Sequence, residues 1–417
     1  MLNVAVVGAG VRGATHLDTI SRLTDLFRLV GVCDALPERS AAAAAQYSVP
    51  AYDHPVTLLE DAKPQVVAVV IPPDAHHLVT AAAAARGCHV LSETPIATTL
   101  AMADHMIESC RKGNVVLEVA ENVWRFPQER LKRLAVEAGL IGEVKQVHLW
   151  YTSGSYHGIS ALRRFITAAP RRMLGVSRTV PVHPFEDIDG RQYDRRTWEL
   201  GVIEFHAEDQ IAVYQWPVGS DRGNSWEVVG SGGAIMGADL LLFEGSSRAR
   251  RRVPIETISE AAPDGGKELV ALRLSPGGRP VVEWENPYRR YHLPGPDDVA
   301  RADIYVALHA AIEAHGRGTP PAPDWAAAGW PASPPASASF YGAENGRADQ
   351  ELLIAMRESA YRGNVWLDLP LDRGQPTAFE RQLHKEFERT YGAPPFEDPE
   401  RLLSTLFPRR GLTQTVH

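Results

Sequence analysis

No apolar run in this 417-residue chain is long enough to cross a bilayer, so no membrane span is expected. Only three cysteines occur, Cys33, Cys88 and Cys110. Their spacing fits no zinc pattern, and an odd small number is a poor disulfide framework, so reducing surroundings are expected. No basic leader precedes the strand-like segment that starts at Leu2, which reads as no signal peptide and a cytoplasmic protein. Basic residues are thinly spread as well. The formal net charge is −8, and the densest basic run, Arg248-Ala249-Arg250-Arg251-Arg252, is short. It reads as a solvated loop or hairpin edge, and nucleic acid is not an expected partner. Gly230-Ser231-Gly232-Gly233 lacks the Gly-Lys-Ser/Thr of a phosphate loop, and His183, Glu186, Asp187 and Asp189 are too irregularly spaced for a metal site, so no metal is expected.

What the chain does have begins at once. Residues 2–7 are a valine-rich apolar run, followed directly by Gly8-Ala9-Gly10-Val11-Arg12-Gly13. Residues 14–24 carry Leu17, Ile20 and Leu23 at helical spacing, and a second apolar run, 27–33, ends at Asp34. The order is strand, glycine turn, helix, strand, acid. In such a unit Gly8 permits the tight turn, Gly10 lets a pyrophosphate approach the backbone, and Gly13 lets helix and strand pack closely. The helix start, with Val11 and Arg12, offers unpaired N–H groups to the phosphates. Asp34, about twenty residues past the last glycine, is placed to accept hydrogen bonds from an adenosine ribose. A carboxylate there repels a 2′-phosphate, which favours NAD over NADP, although Arg12 and Arg39 weaken that preference.

The alternation continues to residue 119, with helical stretches at 37–47, 56–61, 77–86 and 99–112 and strands at 66–71, 89–91 and 115–119. This predicts an α/β fold, an N-terminal doubly wound parallel sheet, with ligand residues just past the strand ends. Those residues are Pro72 to His77, Glu93-Thr94-Pro95 and Glu121-Asn122. From residue 123 the pattern changes. Consecutive strands around 198–205, 210–216, 226–230, 234–243, 268–274 and 281–286 predict an α+β domain with a large, mostly antiparallel open sheet. Residues 178–196 read as a loop near the cleft, 319–339 as an exposed loop, and 340–362 as a long helix. The expected division is 1–122, a Rossmann domain; 123–370, a substrate-binding and oligomerisation domain; and 371–417, a C-terminal extension with a helix near 379–391, read as a surface for a partner subunit.

Together these motifs resemble the glucose–fructose oxidoreductase / inositol dehydrogenase (Gfo/Idh/MocA) family. The resemblance is carried by the glycine turn, Cys33-Asp34, Ile71-Pro72-Pro73-Asp74-Ala75-His76, Glu93-Thr94-Pro95-Ile96-Ala97, Glu121-Asn122 with Arg125-Phe126, and the late segment Tyr341 to Asp349. It implies NAD, a sugar, cyclitol or polyol substrate, and a homodimer or homotetramer built through the second sheet. It implies cofactor contacts at Gly8, Gly10, Val11, Arg12, Gly13, Asp34, Pro72, His76, Glu93 and Glu121, and substrate contacts at Asn122 and Arg125; Arg163, on the helical stretch 160–166, is a candidate contact for a carboxylate or phosphate on the substrate.

Two departures stand out. The family's strand-end motif is Glu-Lys-Pro, and Thr94 occupies the place of the lysine that assists proton transfer. Threonine cannot titrate near neutral pH but still makes hydrogen bonds. The family's Asp-x-x-x-His-x-x-Asp segment reads Ser153 to Ser160 here, keeping only His157. His157 is the expected base, because an imidazole titrates near working pH. Tyr156 or Thr94 is expected to shape the proton path. His77 and the Arg163-Arg164 pair read as ordinary surface otherwise. The expectation is an NAD-dependent oxidoreductase acting on CH–OH groups. The alternatives are an enzyme that retains NAD and oxidises transiently for elimination or glycoside cleavage, and a non-catalytic NAD sensor.

Overall fold

The computed structural model describes residues 1–151, 154–186, 192–216, 224–245, 249–261, 265–318 and 340–408. Ser153, Asp187, Asp189, Arg248 and the 319–339 stretch lie outside them.

The first part runs β1 (Leu2–Val7), α1 (Val11–Arg22), β2 (Phe27–Cys33), α2 (Pro37–Tyr47), β3 (Ala51–Tyr52), α3 (Pro55–Ala62), β4 (Val66–Val69), α4 (His76–Ala84), β5 (His89–Ser92), α5 (Leu100–Lys112) and β6 (Leu117–Val119). The strands form one six-stranded parallel sheet in the order β3-β2-β1-β4-β5-β6. Both faces of this sheet are covered, which is why its strands read as unbroken apolar runs. Val4 and Val6 enter one core while Ala5 and Val7 enter the other. Strand order reverses between β1 and β4, so the crevice for a ligand lies beyond their C-terminal ends.

The second part runs α6 (Pro127–Glu137), β7 (Val144–Trp150), α7 (Ser155–Arg163), β8 (Pro170–Glu186), β9 (Gln192–Phe205), β10 (Ile211–Trp216), β11 (Ser225–Gly230), β12 (Gly233–Met236), β13 (Asp239–Phe243) and β14 (Arg250–Pro254). It continues through β15 (Glu256–Ala261), β16 (Lys267–Leu274), β17 (Val282–Glu285), α8 (Pro296–Gly316), α9 (Gly342–Tyr361), β18 (Leu367–Asp368), α10 (Ala378–Tyr391) and α11 (Pro399–Leu406). Nine strands form one sheet in the order β14-β13-β12-β11-β7-β10-β9-β8-β18, antiparallel except for the β7–β10 pair. Strands β15 to β17 form a separate three-stranded sheet.

Several sequence expectations are corrected. Residues 178–186 and 192–196 are strand, not loop, and lengthen the β8–β9 hairpin. Helix α8 was not anticipated at all. The C-terminal segment makes contacts within the chain, α10 with α9 and α11 with α4. His77, expected at the surface, is fully buried beneath it, with its Nε2 2.7 Å from the Pro395 carbonyl and Phe387 and Phe396 against its ring.

A buried ionic knot joins the parts. Arg125 donates to Glu118 at the end of the first sheet (2.7 Å) and to Asp303 on α8 (2.6 Å), and Arg130 also donates to Asp303 (3.0 Å). Glu118 in turn accepts the backbone N–H of Gly342 at 2.8 Å, where α9 begins. Removing one member of such a knot strands the others without water. Asp303→Ala should therefore lower unfolding free energy by about 3–5 kcal/mol. Chemical denaturation checks this, and a loss below about 1 kcal/mol would show that the knot contributes little.

Candidate active site

The glycine turn lies where β1 meets α1. Gly8 has φ +106°, and a Cβ there would stand 1.9 Å from the Val70 carbonyl oxygen. A Cβ on Gly13 would stand 2.1 Å from the Gly8 carbonyl oxygen, so turn and helix are in direct contact. Gly10 differs: a Cβ there would meet only the Arg39 guanidinium, at 3.7 Å. Its bare side therefore faces space that a ligand can fill. Gly10 caps α1 without a side-chain acceptor, and the first helical turn holds no acid. The unpaired N–H groups of that turn and the partial positive helix end suit a pyrophosphate.

These residues line a cleft of about 500 Å³ together with Asp34, Arg39, Pro72, Glu93 and Thr94. The Asp34 carboxylate accepts the Ala9 N–H (2.7 Å) through one oxygen and the Leu36 N–H (2.8 Å) through the other. Each oxygen keeps lone pairs for further donors, as ribose hydroxyls would supply. The residues present therefore fit an adenine dinucleotide: a tight turn, an open glycine, a helix start and an acceptor at the expected place.

Glu93 holds the far end of the cleft together. Its carboxylate accepts from Arg12 Nε (2.6 Å), His16 Nε2 (2.8 Å) and the Thr94 N–H (2.7 Å). Burial opposes its ionisation, but His16, Arg12 and the Thr94 N–H outweigh burial and hold it well below the usual carboxylate range. His16 is fully buried, and its pKa is lowered chiefly by that burial, against the pull of Glu93. Neutral His16 thus donates Nε2–H to Glu93 and accepts the Tyr305 hydroxyl at Nδ1, 2.9 Å away. Thr94 Oγ1 donates to Glu93 at 3.2 Å and precedes a cis bond to Pro95.

His157 sits in the first turn of α7. Its Nδ1 lies 2.9 Å from Glu121 Oε2, and Glu121 is fully buried just past β6. The other Glu121 oxygen accepts the Val123 N–H at 2.9 Å. Burial disfavours the imidazolium, but the Glu121 charge and hydrogen bond overcome it, with help from Glu93, and the His157 pKa is raised. Since Nδ1 is committed to Glu121, Nε2 is the nitrogen left for a ligand, and the side chain keeps 23% exposure. The acid that orients the ring thus comes from the first sheet, not from the segment around His157. Sequence reading missed this pair because its members are far apart in the chain. The only signal was a retained histidine with no acid beside it.

A second, larger hollow of about 1010 Å³ lies between β8, β9 and the α9–α10 side. Gly154 stands at its edge, and a Cβ there would be 3.7 Å from the His157 ring. Trp216, Tyr193, Arg195 and the Glu199–Arg357 ion pair (2.8 Å) line it.

Six of the expected site residues, His76, Glu121, Arg125, Arg163, Tyr156 and Asn122, are buried. His76 is fully buried, with Nε2 2.7 Å from the Ile71 carbonyl and Nδ1 3.1 Å from the Ile96 carbonyl. It pins the loop after β4 to the chain after β5 and does not open on the cleft. Glu121 is fully buried and holds His157. Arg125 belongs to the buried knot. Arg163, expected on a solvated face or at a substrate, is buried, donating to Asp349 and to Asn345 Oδ1 (2.7 Å). Tyr156 is buried with its hydroxyl 3.4 Å from the Tyr341 hydroxyl, so it is no relay at the cleft. Asn122 donates to Asp297 on α8 at 2.5 Å, and its buried Oδ1 has no hydrogen-bond partner among the described residues.

The N-terminal part is therefore a dinucleotide-type Rossmann fold followed by a large, mostly antiparallel sheet. Comparison with known proteins makes this more specific. Residues 2–121 match the family described as "Oxidoreductase family, NAD-binding Rossmann fold" (GFO_IDH_MocA). The chain is 34% identical over 146 residues to the D-glucoside 3-dehydrogenase of Escherichia coli, which is 34% of this chain and 41% of that relative. It is 28% identical over 157 residues to inositol 2-dehydrogenase 2 of Saccharopolyspora erythraea, 37% of this chain and 46% of the relative. The match thus spans less than half the length of these curated relatives. Among solved structures, levoglucosan dehydrogenase with NADH and levoglucosan superposes with a TM-score of 0.64 at 20% identity, over 89% of this chain and 100% of that one. An NAD binding oxidoreductase from Klebsiella pneumoniae gives 0.64 at 18% identity, over 89% and 100%. These superpositions speak for the fold.

The glycines separate structural from ligand roles. Gly13→Ala should destabilise the fold through the clash with the Gly8 carbonyl. Gly10→Ala should leave the melting temperature within about 2 °C and weaken dinucleotide binding at least tenfold, by crowding the phosphate approach. Thermal melts alongside NAD titrations check this, and unchanged affinity in Gly10→Ala would contradict it.

Proposed function

We propose that this protein is an NAD-dependent oxidoreductase that moves a hydride between nicotinamide and a hydroxyl-bearing carbon of a sugar, cyclitol or related polyol. One observation carries the reading: an imidazole is fixed by a buried carboxylate, with Nδ1 of His157 2.9 Å from Glu121, and its Nε2 is left for a ligand. His157 feels the charges of Glu93 and Arg12, both on the cleft, and its ring adjoins Gly154 at the rim of the hollow.

Bound nicotinamide would supply the hydride acceptor or donor. The chain's own residues would do the rest. Gly10 and the start of α1 hold the pyrophosphate, and Asp34 holds the adenosine ribose. With Nδ1–H donated to Glu121, the Nε2 lone pair of His157 takes the hydroxyl proton as hydride leaves the carbon. The Glu121 charge stabilises the imidazolium so formed, which is the positioning role of a carboxylate behind a catalytic histidine. Thr94 contributes a hydrogen bond without a charge. The polar and aromatic lining of the second hollow suits a polyol, whose hydroxyls need partners while its C–H faces need apolar contact.

Asp34 also favours NAD over NADP, since its carboxylate would face a 2′-phosphate. Asp34→Ala should weaken NAD binding more than NADP binding; equal losses in parallel titrations would remove that role.

His157→Asn should lower kcat by about 10²–10⁴ and leave NAD affinity intact. In the oxidative direction His157 must start neutral, so kcat/KM should rise with pH through an inflection above the ordinary histidine value of about 6.5. Glu121→Gln removes the charge that raises the pKa and leaves the burial that lowers it, so the inflection should move down. Full activity in His157→Asn, or a profile indifferent to Glu121→Gln, would refute the assignment.

A further inference from the structure

The C-terminal segment, which the sequence suggested as a partner-subunit surface, reaches the dinucleotide cleft. Tyr391, at the end of α10, and Leu406 and Phe407, at the end of α11, line the same hollow as Gly10 and Asp34. We propose that they form the wall that receives the adenine ring of the dinucleotide, making this segment part of the cofactor site. The inference rests on the NAD reading above and adds to it a binding subsite outside the Rossmann unit.

The position argues for adenine in particular. Asp34 follows β2, on the side of the sheet away from β5 and β6, which Glu93 and Glu121 follow. A dinucleotide with its pyrophosphate at Gly10 and its ribose at Asp34 therefore directs its base between the loop after β2 and the loop after β4. Tyr391 closes that gap. Its hydroxyl donates to Asp74, in the loop after β4, and the cleft is lined there by Ala35, Leu36 and Pro72. A purine needs flat apolar surface more than charge, and a tyrosine, a leucine and a phenylalanine supply it.

The wall is also held firmly. Phe407 is buried in the core that contains Ala5, Val7 and Cys33 of the first sheet. Helix α10 begins with a capping box between Thr377 and Glu380. Glu380 also accepts the Leu100 N–H at the start of α5, at 2.7 Å. Leu406 and Tyr391 remain half-buried. Phe407 thus anchors the segment while Leu406 and Tyr391 keep surface for a ligand.

The experiment is calorimetric titration of the full chain with NAD, ADP-ribose and nicotinamide mononucleotide. Wild-type protein, Leu406→Ser and Tyr391→Ala are compared, with melting temperatures checking that each variant folds. Both variants should lose about tenfold in affinity for NAD and ADP-ribose, in line with loss of one base-stacking contact. Their binding of nicotinamide mononucleotide should match wild type. Leu406→Met, which keeps the apolar surface, should bind NAD as wild type does. Undiminished NAD and ADP-ribose binding in both folded variants would overturn the wall. An equal loss for all three ligands would also overturn it, since the effect would then be a general disturbance of the site. Absence of NAD binding in the wild-type protein would overturn the cofactor reading itself, and with it this proposal.

Discussion

A carboxylate without water must find every partner inside the protein, and Glu121 finds two: the N–H of Val123 and Nδ1 of His157. That one bond ties the end of the parallel sheet to the helix that follows the first strand of the second sheet. It decides which imidazole nitrogen carries the proton, where the ring stands, and how readily it charges. Removing Glu121 would leave His157 in a setting that disfavours the imidazolium. Removing His157 would leave a buried acid short of a donor.

Around this pair the same logic repeats. Glu93 is saturated by Arg12, His16 and Thr94, which fixes the strand end beside the cleft. Glu118 and Asp303 are saturated by Arg125 and Arg130. Acids at the ends of the first sheet thus point inward, and basic or N–H groups from α1, α7, the start of α9 and the segment before α6 meet them. Such knots add little net stability over apolar packing, but they fix geometry, because a shifted partner leaves an unpaired charge. Beside these paired charges, Gly10, Asp34 and Thr94 line the cleft.

The first sheet was legible because its signals are local. A run such as Val66 to Val69, glycines spaced Gly8, Gly10, Gly13, and an acid after the second strand need no knowledge of distant contacts. The later elements hide for physical reasons. The outer parts of β8 and β9 contain no fully buried residue, so they carry proline, arginine and aromatics in place of apolar alternation. Helix α8 is buried nearly all round, yet Arg301 and Asp303 lie inside it and blur the apolar stripe that marks a helix. Arg125 and Arg163 looked like ligand contacts because a basic residue near a motif does. Their acids, Asp303 and Asp349, come from helices far along the chain. His157 stood out in the sequence as the expected base, whereas Glu121 as its hydrogen-bond partner did not, since nothing local links them.

In the proposed function, Nε2 of His157 faces the oxygen of the carbon that exchanges hydride with nicotinamide. A crystal structure with NAD and a bound polyol measures this directly. The account predicts that Nε2 lies about 2.6–3.2 Å from that oxygen, with Nδ1 still on Glu121. A polyol held at the nicotinamide with another side chain at that oxygen, and His157 beyond hydrogen-bond reach, would contradict it.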